Sequence, residues 1–203
     1  MVTALNGVSL EIPEGELIAI MGRSGSGKST LLNILGTLQK PTSGTYWLEG
    51  QAVDQMSEKQ ILSLRRKKLG FVFQQYRLLP AYTVWENICL PLALDRMPAD
   101  RAYLENLAER CGIQDKLDAY PDQLSGGQQQ RAALVRAMSH KPAVLLADEP
   151  TGNLDYRTGM EVMSLLLECR REYGQTVVMV THDNECADYA DRILHMEDGV
   201  IVG

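Results

Sequence analysis

The sequence predicts an α/β fold in which a mostly parallel β-sheet is flanked by helices. Three short and almost wholly apolar runs, at residues 17–21, 143–147 and 176–180, indicate buried strands. Helical patterns separate these runs, and strands that are apolar on both faces are typical of a parallel sheet covered on both sides. Because ligands of such sheets bind beyond the carboxyl ends of the strands, the polar residues that follow each run are candidates for a site.

The chain length and composition predict one globular domain over residues 1–203. A chain of 203 residues can bury a sizeable core, and 45% hydrophobic with 23% charged residues is ordinary for a globular protein. The pattern from about 80 to 140 is helical, which predicts a helical insertion between strands. Residues 45–48 are β-prone and end at Gly50, which indicates a small β portion in the N-terminal half.

The first helices are predicted from their caps and spacing. Apolar residues from Ser29 to Leu38 have helical spacing after a glycine-rich loop. Ser57 with Gln60 three residues later has the form of a capping box, so a helix is expected to run from there towards Lys68. Residues 70–74 then predict another strand.

The later helices are predicted in the same way. Thr83-x-x-Glu86 predicts a helix through Leu94, and Pro98 is expected to begin another through Arg110. A further helix covers residues 129–138. The last long helix is expected from about Tyr156 to Tyr173, where Gly174 ends it.

Charge and cysteine usage exclude some classes of function. A net charge of −6 argues against a nucleic-acid-binding surface, which needs basic residues to neutralise phosphates. The basic run at residues 65–68 is either a solvated helix face or a contact for an anionic partner. The four cysteines have no CxxC spacing, which favours free thiols in a reducing compartment. No leader and no apolar run of 18 residues is present, so any membrane partner is expected to be a separate chain.

A phosphate-binding loop is predicted at the end of the first strand. The sequence matches GxxxxGK[ST] between a strand and a helix, which is the context that this motif requires. Backbone N–H groups and the helix N-terminus form an anion cradle, Lys28 reaches the β- and γ-phosphates, and the Ser29 hydroxyl binds Mg²⁺. The candidate ATP-binding residues are Gly22, Arg23, Ser24, Gly25, Ser26, Gly27, Lys28, Ser29 and Thr30.

Two adjacent carboxylates, Asp148 and Glu149, follow the buried strand at 143–147. Helix capping is a weak explanation because Pro150 comes next, and buried carboxylates without a cation are costly. With Mg²⁺ nearby, Asp148 is expected to hold the metal through water, and Glu149 to orient and deprotonate the attacking water. The loop and the carboxylates together predict a nucleoside triphosphatase.

A second helix start suited to anions lies at Leu124-Ser-Gly-Gly-Gln128. Ser125 has the character of an N-cap, and a good helix former follows. A plain turn between helices is an equally open interpretation of these residues taken alone. Since one nucleotide needs one cradle, the second cradle suggests that two chains share each nucleotide.

These motifs resemble those of the ATP-binding cassette (ABC) family, and the resemblance covers nearly the whole chain in order. Residues 124–128 resemble the family signature, and Gln74 after its strand resembles the Q-loop. Residues 153–155 resemble the D-loop, and residues 180–183 the strand end that carries the switch histidine. Residues 73–80 and 146–155 are similar to those of lipoprotein-releasing and macrolide-export ATPases and their cell-division relatives.

The resemblance implies a P-loop NTPase fold and a transport-coupled ATPase that uses ATP and Mg²⁺. Gln74 is implied to touch the metal and the attacking water, and His182 to contact the γ-phosphate. Two copies are implied to dimerise head to tail, so that ATP lies between the phosphate loop of one copy and Ser125, Gly126, Gly127 and Gln128 of the other, with Asp155 in the D-loop. His140 and His195 match no motif and are interpreted as structural.

The family resemblance also implies membrane permease subunits as partners and a cytoplasmic, peripheral location at the inner face of the membrane. Residues 84–94 are a candidate groove for such a partner, although core packing explains them equally well. The alternatives are a regulatory or cell-division ATPase of the family and, disfavoured because no long coiled coil separates the motifs, a DNA-repair ATPase.

One departure from the family pattern concerns adenine. Family members carry an aromatic residue on an N-terminal strand that stacks on the base, and residues 1–21 contain no aromatic side chain. This strand is therefore expected to be missing from the sequence. Either the start is truncated or misassigned, or adenine is held in another way. Weak nucleotide binding is expected, with the phosphates held well and adenine poorly.

Overall fold

The computed structural model describes residues 3–202, and a six-stranded sheet lies at its centre. The strands are β1 (Leu17–Met21), β2 (Trp47–Leu48), β3 (Gln51–Ala52), β4 (Leu69–Phe73), β5 (Val144–Asp148), β6 (Thr176–Val180), β7 (Arg192–Glu197) and β8 (Val200–Val202). In the large sheet the order is β4-β5-β6-β1-β7-β8, and every neighbouring pair is parallel except β7 with β8. β2 and β3 form a separate antiparallel pair. The predicted fold class is confirmed.

Residues 3–202 contain seven α-helices, which lie between the strands. They are α1 (Lys28–Leu35), α2 (Glu58–Lys68), α3 (Val84–Leu94), α4 (Arg101–Arg110), α5 (Gly126–Met138), α6 (Tyr156–Tyr173) and α7 (Asn184–Ala187). The predicted capping boxes at Ser57 and Thr83 are both present. Gly174 ends α6 in the left-handed conformation with φ 63°, as its position predicts. Short 3₁₀ turns cover residues 53–55, 114–116 and 121–123.

Three helix boundaries differ from the sequence prediction. α5 begins at Gly126 rather than at residue 129, directly after its N-cap Ser125. α4 begins at Arg101 rather than at Pro98, because the Asp100 side chain accepts a hydrogen bond from Tyr103 N at 3.1 Å and acts as the N-cap. α1 ends at Leu35 and not at Leu38. Thr37 has a left-handed φ of 56°, which takes the chain out of the helix.

The apolar residues of β1 alternate between two cores, one on each face of the sheet. Leu17 and Ala19 belong to the larger core, which they share with α3, α4, α5 and α6. Ile18 and Ile20 belong to the smaller core, to which α1 contributes Leu31. Burial on both faces explains why the strand is a continuous apolar run and not an alternating one.

The helices α3, α4 and α5 follow one another between β4 and β5, in the region where the sequence predicts an insertion. In α3, Val84, Ile88 and Leu92 are buried, so core packing explains most of its apolar residues, while Leu94 is 63% exposed. No strand is assigned within residues 3–16. Among the helices of residues 3–202, none is both long and apolar enough to cross a membrane.

The basic run in α2 has partners within the chain. Arg66 and Lys67 both pair with Asp95, at 3.0 and 3.8 Å. Lys68 pairs with Glu49 at 2.8 Å. Arg65 donates to the side chain of Thr37 at 3.1 Å, beyond the end of α1. These contacts favour the structural interpretation of the run over an anionic partner.

Candidate active site

The carboxyl ends of four parallel strands lie at one edge of the sheet. Strand register pairs Phe73 with Asp148, Asp148 with Val180, and Ile20 with Val180. The loops that follow β1, β4, β5 and β6 therefore begin side by side. These are the loops that carry the phosphate motif, Gln74, the adjacent carboxylates and His182.

The phosphate loop needs glycine at its two ends. Gly22 has φ 153°, and a Cβ there would lie 2.2 Å from Met196 O. Gly27 has φ 105°, and its Cβ would lie 2.4 Å from Ala4 O. Both distances are too short for any side chain, so glycine lets the loop pack against β7 on one side and against the N-terminal segment on the other.

The N-terminus of α1 differs from those of the other helices. The other six α-helices of the described chain each have a side chain that accepts from a first-turn N–H group, whereas α1 has Gly27 as its N-cap and no such side chain. The hydroxyl of Ser26, in the loop, is buried and has no hydrogen-bond partner. Free N–H groups, a positive helix end and an orphaned hydroxyl together fit the oxygens of a phosphate chain.

Lys28 supplies the positive charge of the loop. Its side chain is 8% exposed, and its ammonium group donates to Gly22 O at 2.8 Å and to Arg23 O at 2.9 Å. The ammonium is therefore held on the carbonyl oxygens of the loop itself. A triphosphate entering the loop offers stronger, charged acceptors to the same group.

Asp148 ends β5, and its carboxyl group is half-buried. Burial raises its pKa above the usual value, and the neighbouring Glu149 raises it further. The positive charges of Arg77 and Lys28 oppose this rise without cancelling it. A site in which a carboxylate is costly to ionise favours a bound cation, and the hydroxyl, carboxylate and amide oxygens of Ser29, Asp148 and Gln74 are oxygen donors of the kind that Mg²⁺ prefers.

Glu149 occupies a special backbone conformation. Its φ is 46°, in the left-handed region, and its N–H donates to Val180 O at 2.9 Å, across to the neighbouring strand. The chain thus turns directly after Asp148, at the end of β5. His182, two residues after β6, has its Nδ1 3.1 Å from Glu149 Oε1.

Gln74 approaches the same carboxylate. A Cβ placed on Gly152 would lie 2.8 Å from Gln74 Nε2 and 3.2 Å from Glu149 Oε2, so both side chains pass directly over this glycine. The Asn153 side chain donates to Gln74 O at 2.8 Å and holds the backbone of the Gln74 loop against the D-loop. The structure therefore brings Gln74, Glu149 and His182 together.

The signature segment lies elsewhere on the surface. Ser125 is an exposed N-cap that forms a reciprocal capping box with Gln128. A Cβ on Gly126 would lie 2.8 Å from the Tyr76 hydroxyl, and one on Gly127 would lie 2.3 Å from Thr158 Cγ2. No hydrogen bond within residues 3–202 joins this segment to the phosphate loop of the same chain.

Asp155 caps α6 by accepting from Thr158 N at 3.1 Å, so its carboxylate has a structural task in the single chain. Three further residues contact the Gln74 loop or the carboxylate edge and were not predicted as site residues: Tyr76, Arg77 and Arg136. Tyr76 and Arg77 lie within residues 73–80, but no sequence pattern marks their contact with Arg136, because it is distant in the chain. His140 Nε2 lies 3.1 Å from Leu69 O, and His195 lies in β7, in keeping with structural roles.

Comparison with known proteins gives consistent matches. A family model described as "ABC transporter" matches residues 5–152. An uncharacterized ABC transporter ATP-binding protein of Methanocaldococcus jannaschii is 48% identical over 203 residues, which cover 98% of this chain and 89% of that protein. The macrolide export ATP-binding/permease protein MacB of Chlorobium luteolum is 50% identical over 99% of this chain, which spans 30% of its length.

Two solved structures match over the full chain. The dimeric structure of MJ0796, a bacterial ABC transporter cassette, has a TM-score of 0.91 and 42% identity, with 100% of this chain and 90% of that chain covered. A dimeric post-hydrolysis state of the same cassette bound to ADP and Pi has a TM-score of 0.90 and 41% identity, with the same coverage.

Proposed function

Because this chain belongs to the ABC transporter family and is an ATP-binding and ATP-hydrolysing subunit, we propose that it uses the site residues described above to drive movement of membrane partner subunits. The resemblance that the motifs predicted is confirmed at the level of the family. We further propose a role for each site residue, a bound Mg²⁺, a dimer of two copies and a membrane partner.

Residues Gly22 to Thr30 surround the phosphates of ATP. Lys28 exchanges its bonds to Gly22 O and Arg23 O for the β- and γ-phosphate oxygens. The orphaned Ser26 hydroxyl and the free N–H groups at the start of α1 gain acceptors at the same time. Mg²⁺, when bound, offsets negative charge on the β- and γ-phosphates. Ser29, Gln74 and, through water, Asp148 would hold it.

The convergence of Glu149, His182 and Gln74 is the observation that carries the hydrolytic role. Glu149 accepts the proton of the attacking water, and Gln74, which lies beside Glu149 over Gly152, orients this water. His182 contacts the γ-phosphate and, through its Nδ1, keeps Glu149 in place. Glu149 and His182 are therefore already in contact before ATP binds.

Two copies of the chain form a head-to-tail dimer around two ATP molecules. The helix start at Ser125–Gln128, of which Ser125 is exposed, has no hydrogen bond to the phosphate loop of its own chain in residues 3–202. This suits a role towards the partner copy. Asp155 lies in the D-loop at the same interface. The related cassette MJ0796 is dimeric, which supports this arrangement.

The membrane partners are permease subunits, and the chain works as a peripheral cytoplasmic subunit at the inner face of the membrane. Similarity to MacB, an ATP-binding/permease protein, supports export or mechanical work as the output. A cell-division-type regulatory ATPase is the second candidate. A net charge of −6 supports a protein partner and not a nucleic acid.

A phosphate-release assay with Lys28→Ala tests the proposal. This variant is expected to lose ATP binding, and its hydrolysis rate is expected to fall at least about 100-fold, because the positive charge that Lys28 places beside the phosphates is removed. Lys59→Ala, on the exposed face of α2, is the matched control and keeps wild-type activity. Hydrolysis by Lys28→Ala at the rate of the control would rule out the assigned site.

A further inference from the structure

Arg136, in the last turn of α5, is a cation that has no acidic partner among the residues that the structure describes. Its Nη2 donates to Tyr76 O at 2.8 Å, and its Nη1 donates to Arg77 O. Burial lowers the pKa of Arg136 to about 10, and the positive charge of Arg77 adds to this effect. No carboxylate among residues 3–202 contributes to stabilising its charge. The Arg136 guanidinium therefore donates its hydrogen bonds to two backbone carbonyl groups.

Arg131, five residues earlier in the same helix, has different partners. It pairs with Glu161 at 2.6 Å and donates to Cys111 O at 3.3 Å. Both arginines thus tie α5 to another segment, but only Arg136 contacts the loop that carries Gln74. This makes Arg131 a matched comparison for Arg136.

The two carbonyl groups that Arg136 binds lie two and three residues after Gln74 in the same loop. Arg77 has a left-handed φ of 50°, which a residue other than glycine adopts only when its surroundings hold it there. The fork of Arg136 holds the two peptides before and after this residue. At the other end of the loop, Asn153 donates to Gln74 O. The loop is therefore fixed from two sides.

The same loop lies against the carboxylate edge of the sheet. The Arg77 guanidinium lies 4.0 Å from the centre of the Phe73 ring, and Phe73 is the register partner of Asp148. The Tyr76 hydroxyl approaches Gly126 at the first turn of α5. Helix α5 consequently contacts residues 76–77 from both its first and its last turn.

We propose that Arg136 is a positioning residue for ATP hydrolysis, whose guanidinium fork locks the Tyr76–Arg77 backbone to α5 so that Gln74 moves with this helix. The inference rests on the proposed role of Gln74. A planar guanidinium can donate to two neighbouring carbonyl groups in fixed directions, whereas a lysine ammonium keeps the charge without the fork. The effect is therefore expected on the chemical step and not on ATP affinity.

The test compares Arg136→Gln, Arg136→Lys and Arg131→Gln in the purified chain, with kcat measured by phosphate release and ATP affinity by titration. Arg136→Gln is expected to lower kcat about 10-fold with ATP affinity within about threefold of wild type, and Arg136→Lys to recover part of the loss. Arg131→Gln is expected to stay within about twofold of wild type. Equal losses in Arg136→Gln and Arg131→Gln would overturn the inference.

A double-variant cycle with Gln74→Ala separates positioning from general loss of structure. If Arg136 acts through Gln74, adding Arg136→Gln to Gln74→Ala lowers kcat by less than about twofold further. Independent, multiplying losses overturn the inference and leave the proposed function standing. A Gln74→Ala variant with wild-type kcat would exclude the proposed role of Gln74 and would overturn the inference about Arg136 together with it.

Discussion

His182 Nδ1 lies 3.1 Å from Glu149 Oε1, although the two residues are 33 positions apart in the chain. The contact joins the ends of β5 and β6, which are neighbours in the sheet. The histidine side chain is 67% exposed and the glutamate side chain 25%, so one face of the pair remains open to a substrate. The contact holds the carboxylate at the edge of the sheet where the phosphate loop begins.

Glu149→Gln is expected to retain ATP and stop turnover. The amide has the shape of the carboxylate and keeps an oxygen for His182, but it cannot accept a proton from water. We expect kcat to fall by at least about 100-fold, ATP affinity to stay within about threefold, and a dimer to persist in ATP during size-exclusion chromatography. Undiminished hydrolysis would exclude Glu149 as the general base.

Gly127→Ala is expected to disturb the packing of α5 on α6. The added Cβ would lie 2.3 Å from Thr158 Cγ2, so one of the helices must shift. We expect a loss of about 1–3 kcal/mol in the free energy of unfolding, measured in urea. Thr158→Ser removes the clashing methyl group, and the double variant should recover most of the loss. A double variant as unstable as Gly127→Ala alone would contradict this contact.

His140 is expected to make stability depend on pH. Burial lowers its pKa below the usual 6.5, and its buried Nδ1 has no partner to accept a hydrogen bond once protonated. As the pH falls through about 6.5, the unfolded chain takes up a proton before the folded chain does, so stability is full above this pH and declines below it.

The measurement is the urea unfolding free energy of wild type and His140→Gln at pH 7.5 and 5.5. Wild type should lose more stability between the two values than the variant does. His195→Gln is the control, since the His195 side chain is exposed, and it should lose as much as wild type. An identical pH dependence in all three proteins would exclude His140 as the cause.

Local patterns in the sequence predicted much of the molecule. The apolar runs predicted β1, β4, β5 and β6 to within one residue, whereas the parallel strand β7 was not predicted. The capping boxes at Ser57 and Thr83 predicted two helix starts. The start of α4 was predicted wrongly because Pro98 is a strong signal for a first turn, whereas the Asp100 side chain makes the cap. Where two local signals compete in this way, the hydrogen bond that forms decides at which residue the helix begins.

The sequence by itself determined the fold class, the phosphate loop and the adjacent carboxylates, because each depends on residues that are close together in the chain. Only the tertiary structure decided that His182 contacts Glu149, that Gln74 passes over Gly152, and that Arg136 holds a loop 60 residues away. The physical reason is strand register: the sheet aligns the ends of β4, β5 and β6, and no short-range pattern encodes which loops then meet.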